Sequence, residues 1–320
     1  MRRVEFDILK GLGIVLMIMG HIDYGDQFDT FIHSFHMPLF FLVSGFFMKE
    51  STAAFHVFLK SKIKALIIPY VLFSSFHFLL KLPLLIRNGG LNDALLAAIF
   101  NINTNNFPIA GALWFLPALF NTFILFYFIQ KIDNNYLRHL IVLLLSITGC
   151  YLHRFIVLPW SIDISLAMLF LFNLSFSTKN FITKSKSIHS LCAILFIIGL
   201  YLVLSNGHVN VREREYSNVV LFYANAVIMT LTFYWISCVL APIHNIITKE
   251  ISFIGKNSII YMSFNQLLVW GPNLYILKNY TIEGFTLKTA TLLVSLIILH
   301  LLSNRFMKSE KWLYLIGKRK

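Results

Sequence analysis

Residues 5–21 read EFDILKGLGIVLMIMGH: an acidic and basic approach, then an apolar run that ends on an imidazole. A cleaved leader is the first reading to weigh, and it fails. Glu5, Asp7 and Lys10 interrupt the approach, no small-residue cleavage site follows His21, and the later apolar stretches need this one as a partner. As a helix rising about 1.5 Å per residue, the segment sets Lys10 and His21 about 16 Å apart along its axis. Eleven steps of about 100° also return both to nearly the same face. A basic residue at a cytoplasmic helix end needs no special explanation. An ionisable group deep in a span is costly and points to function, and histidine is the side chain best suited to exchange a proton near neutral pH.

The rest of the chain agrees with a membrane span here. Of 320 residues, 58% are hydrophobic and 13% charged, with mean hydropathy +0.73; soluble chains run near about 45–50% and 25%. Apolar windows lie near residues 8–22, 31–48, 64–82, 111–130, 138–153, 160–176, 188–205, 219–240, 257–273 and 287–304. The expected fold is therefore all-α, a polytopic membrane bundle of about ten transmembrane helices, with residues 1–320 as a single transmembrane domain. Leu91–Phe100 is too short to span and reads as a re-entrant or interfacial helix before the polar stretch 101–106. With the N-terminus in the cytoplasm, all but seven of the 27 Lys and Arg residues fall inside, the exceptions being Lys81, Arg87, Arg154, Arg212, Arg214, Lys278 and Lys288. That bias predicts both termini in the cytoplasm. It also explains the net charge of +13 without nucleic acid, because the basic residues are scattered among apolar stretches. Cys150, Cys192 and Cys238 are an odd set in apolar surroundings, which implies neither a disulfide framework nor a zinc site.

The second window opens FIHSFHMPLFFLVSGFF (residues 31–47), which returns His33 and His36 to the level of His21. Three histidines near Asp23 invite a metal reading, but their spacing follows no familiar ligand pattern, so no metal is implied. Ser44 and Gly45 are a small pair suited to close helix packing.

The order Asp7-x-x-Lys10-Gly11, then Gly20-His21, then FHMPLFF (residues 35–41) and Ser44-Gly45-Phe46 resembles the acyltransferase-3 family of bacterial membrane O-acyltransferases. The basic stretch from Lys60 to Tyr70, the LWFLPAL segment at 113–119 and Gly255 to Ser258 resemble later elements of that family, so the likeness covers nearly the whole chain. The resemblance implies transfer of acetyl from cytoplasmic acetyl-CoA, a co-substrate with no further cofactor, to a hydroxyl of a cell-surface or lipid-linked carbohydrate, in a bacterial cytoplasmic membrane. It maps the family's functional pair of the first span onto Lys10 and His21. Two departures stand out. The family's paired basic positions before the third span fall at Lys62 and Ala65, and where many members carry a ninth-span histidine this chain has Asn265 and Gln266.

The residue expectations follow. His21 is the general base, with Asp23 orienting it if the chain turns back. Lys10, Lys60, Lys62 and Lys64 meet the donor phosphates at one cytoplasmic mouth. On the acceptor side stand His36, Trp114 as a stacking surface, and the amides Asn265 and Gln266. The rival class is a carrier or flippase for a lipid-linked sugar, but paired interrupted segments of the kind transporters show are not evident. Consumption of acetyl-CoA separates the two.

Overall fold

The apolar windows become helices. The computed structural model describes residues 3–50, 52–87, 89–100, 111–184, 188–275 and 283–317. In chain order its helices are α1 (Val4–Ile22), α2 (Asp26–His33), α3 (His36–Phe47), α4 (Phe55–Lys62), α5 (Ile68–Arg87), α6 (Leu91–Phe100), α7 (Phe115–Ile129) and α8 (Asn135–Leu152). There follow α9 (Ile162–Lys184), α10 (Ile188–Asn206), α11 (Val219–Leu240), α12 (Ile246–Lys256), α13 (Ser258–Tyr275), α14 (Phe285–Met307) and α15 (Glu310–Leu315). No strand forms among the described residues beyond one isolated bridge, Asn210 to Glu215.

The chain is an all-α polytopic helix bundle. Each of the ten expected windows holds a helix, and among the described residues seven segments are long and apolar enough to cross a membrane by length and composition. The other three windows hold α1, with its Glu5, Asp7 and Lys10, and α10 and α13. Leu204, Ile297 and Leu301 on α10 and α14 are exposed, as large apolar side chains are on helices that face lipid. The short helix expected at Leu91–Phe100 is present as α6, whereas the polar stretch 101–106 lies outside the described residues.

Three local features differ from a plain row of spans. The second window is broken at Phe35, whose φ of −147° and ψ of −19° separate α2 from α3. A π-turn, Ile63–Ile67, joins α4 to α5. α12 is a short helix of mixed polarity that no apolar window announced.

α1 is the hub, packed against α3, α11, α12 and α13. Its crossing with α12 runs through two glycines. A Cβ on Gly11 would land on the carbonyl oxygen of Ile251, and one on Gly255 on the carbonyl oxygen of Asp7. Such close backbone approach is what small residues permit in membrane bundles, where apolar side chains gain little by leaving lipid. Gly45 does the same on α3, facing the carbonyl of Phe172 on α9. Neither backbone can step aside at the α1–α12 crossing, so Gly255→Val is expected to destabilise by at least about 1–3 kcal/mol through overpacking. Thermal melting of the purified protein in detergent reads this, and an unchanged midpoint would remove the crossing from the account.

Candidate functional site

The site is built where α1 ends against α13. Asn265 is fully buried on α13 and donates both amide hydrogens to its own helix, to the carbonyls of Tyr261 at 3.0 Å and Met262 at 2.6 Å. Its Oδ1 is therefore fixed as an acceptor, 2.5 Å from His21 Nδ1, so that nitrogen carries the proton. His21 Nε2 is left as the basic nitrogen, and Gln266 Nε2 donates to it at 3.1 Å. The indole of Trp270 donates to the His21 carbonyl at 3.0 Å, which satisfies one of the carbonyls that a helix end leaves open. The two rings meet edge to face at 5.4 Å.

A cavity of about 260 Å³ opens beside this imidazole, lined by His21, Asp29, His33, His36, Trp114, Arg212, Gln266 and Trp270 among others. His33 Nδ1 lies 3.0 Å from Asp29 Oδ1, and its ring meets that of His36 at 5.1 Å. His36 is buried and donates from Nδ1 to the carbonyl of Ile32 at 2.8 Å. Trp114 is buried on the cavity wall.

One wall comes from the connection between α10 and α11. Arg214 there is 5% exposed and grips Asp163 at the start of α9, which is 0% exposed, through Nε to Oδ2 at 2.6 Å and Nη2 to Oδ1 at 3.2 Å. Arg214 reaches it from a left-handed backbone, φ 66°. Two backbone hydrogen bonds between Asn210 and Glu215 close the turn. This clamp presents Asn210, Val211 and Arg212 to the cavity and brings His208 within 5.7 Å of the His33 ring.

Lys10 stands at the opposite end of α1, 3.1 Å from Asp7, and lines a second cavity of about 170 Å³. That cavity is mostly apolar, with Phe40, Leu66, Phe115, Leu116 and Met262 around it. Met17 and Met37 line both cavities, so the two abut along α1 between Lys10 and His21.

Several expected roles change. Asp23 does not orient the imidazole. Both ring nitrogens are already engaged, and the Asp23 carboxylate turns to the Gly25 N–H at 3.0 Å on the exposed end of α1. The four lysines do not line one mouth, because only Lys10 borders the inner cavity. Lys60 is exposed, Lys62 lies 3.4 Å over the Phe123 ring, and Lys64 lies 4.1 Å over the Tyr314 ring. Lys62 stands two positions from each of the others, on a different side of the helix, and Lys64 falls in the π-turn that follows. Asn265 faces the imidazole and not the cavity, so of the two amides only Gln266 borders the space an acceptor would enter. Asp29, Arg212 and Trp270 join the site without having been singled out from sequence. Among the described residues, no three His, Cys, Asp or Glu side chains are placed to hold a metal ion.

The model of the acyltransferase-3 family, described as an acyltransferase domain, matches residues 3–319. No curated protein and no solved structure matches the chain.

Proposed function

Since the chain belongs to the acyltransferase-3 family and is a membrane acyltransferase, we propose that it moves acetyl from cytoplasmic acetyl-CoA to a carbohydrate hydroxyl at the outer face of a bacterial cytoplasmic membrane. The observation that carries this reading is the pair of neighbouring cavities that share Met17 and Met37 in their walls. A phosphopantetheine arm is about as long as the roughly 16 Å rise from Lys10 to His21. The inner cavity runs beside α1 between Lys10 and the His21 end, and Lys10 stands where the donor phosphates would remain in water.

The acceptor hydroxyl displaces the Gln266 amide from His21 Nε2. That nitrogen takes the hydroxyl proton as the oxygen attacks the thioester carbonyl. The carbon–sulfur bond breaks, the thiolate of coenzyme A leaves, and the imidazolium returns its proton to it. Asn265 holds Nδ1–H throughout, so the ring keeps one tautomer and one orientation without a carboxylate beside it. Trp114 and His36 border the acceptor cavity.

Purified protein given acetyl-CoA and surface glycans should release free thiol and add one acetyl mass to the glycan. A lipid-linked sugar carrier would do neither, and no release of thiol with any glycan would sink the proposal. Lys10→Gln should raise KM for acetyl-CoA, less so at high salt, because a partly exposed cation on phosphate is screened. Replacing Lys60, Lys62 and Lys64 together should raise it less, since none of them borders the inner cavity. An unchanged KM in Lys10→Gln would dismiss the lysine as a donor contact.

The orientation is tested separately by cysteine labelling. Residues 206–218 should react from outside the cell and residues 178–187 only after permeabilisation. Both loops reacting from one side would overturn the topology.

A further inference from the structure

The acceptor cavity carries a cation that the transfer chemistry leaves unused. Arg212 lines the cavity across from His21, on the loop that Arg214 clamps to Asp163. It pairs with the Glu213 carboxylate at 3.8 Å, on a side chain half exposed to solvent. Burial, with Arg214 as a like-charged neighbour, holds the Arg212 guanidinium below the usual arginine value. A guanidinium nevertheless stays charged. The acid that also lines the cavity, Asp29, is held by His33 at 3.0 Å.

A partly buried cation on the cavity wall favours a ligand that brings negative charge. Arginine suits this best, because its planar fork matches phosphate and carboxylate oxygens two at a time. The separation of labour between the two arginines supports the same conclusion. Arg214 holds the loop, and Arg212 two residues earlier is presented into the cavity.

We infer that the acceptor is an anionic carbohydrate, and that Arg212 holds its phosphate or carboxylate while a neighbouring hydroxyl meets His21. This rests on the reading of the outer cavity as the acceptor side. It adds the substrate class, and it makes Arg212 a residue that determines specificity.

Three soluble probes test it: methyl glucoside as the neutral sugar, glucose 1-phosphate and methyl glucuronide. Binding to purified protein is measured first, with no acetyl-CoA present, so the result does not depend on turnover. At least one anionic probe should bind about 10–100-fold more tightly than methyl glucoside, the range expected of a charge-assisted contact. Arg212→Gln should abolish that preference and Arg212→Lys should retain part of it. Preference for glucose 1-phosphate alone points to a phosphorylated acceptor, and preference for the glucuronide alone to an acidic sugar.

Where transfer is then measured, Arg212→Gln should raise KM for the anionic probe by a larger factor than for methyl glucoside. Equal binding of all three probes, no binding of either anion, or an Arg212→Gln protein that slows every probe alike would each overturn the inference. Anion binding without any release of coenzyme A would leave it standing and refute the acetyl-transfer reading instead.

Discussion

His21→Ala is expected to insert and to bind acetyl-CoA, yet to transfer acetyl about 10²–10⁴-fold more slowly, the ordinary worth of a positioned general base. The geometry joins the imidazole to α13 through both ring nitrogens, by Asn265 on one side and Gln266 on the other. Its loss leaves the Asn265 oxygen buried without that partner, a cost of about 1–3 kcal/mol to be read by melting before any rate is interpreted. The wild-type rate should fall on the acid side as Nε2 takes up a proton, because a protonated ring cannot accept another from the acceptor. The residual rate of His21→Ala should be flat over the same range. Asn265→Leu keeps the ring but frees its tautomer, so it should lower the rate without abolishing it and should change the pH profile. A folded His21→Ala protein with a near-normal rate would move the base to the Asp29–His33 pair on the facing wall.

What the sequence makes legible here follows from cost. An imidazole in an apolar helix, a run of ten apolar windows and a lopsided distribution of lysine each stand out because lipid penalises the alternative. His21 and the helices of the bundle were readable for that reason. α12 was not, because its Lys249, Glu250 and Ser252 dilute the hydropathy while its Gly255 makes the tight contact with α1. Arg212 and Asp29 were unreadable too. They sit in polar segments where a charge costs nothing, and only the fold brings them to one cavity.

Asn265 and Gln266 were noticed as a departure from the family pattern, but their partner is 244 and 245 residues away in sequence. Spacing alone could not say that they hold the imidazole. The lysine trio failed in the opposite direction. Its members are close in the sequence, yet Lys62 and Lys64 lie over different rings and Lys60 is exposed.

The buried pair of Arg214 and Asp163 is where a single substitution should cost most stability. Both side chains are withdrawn from solvent, their contact uses two hydrogen bonds, and Asp163 Oδ1 also takes the N–H of Ile164 at 2.9 Å. Arg214→Met would leave a carboxylate buried without its cation, which typically costs about 3–5 kcal/mol. Replacing both partners, as in Arg214→Met with Asp163→Asn, should recover part of that loss, since the penalty lies in the unpaired charge more than in the missing bond. The pair also positions the loop, so the functional effect should be one-sided. KM for acetyl-CoA should change less, because neither member of the clamp lines the inner cavity, while acceptor affinity should fall as Arg212 loses its place on the cavity wall. Melting curves and the two KM values for the single and double variants decide the matter. An Arg214→Met protein that melts with the wild type, or one that loses donor and acceptor affinity in equal measure, would mean that this ion pair does not fix the acceptor wall.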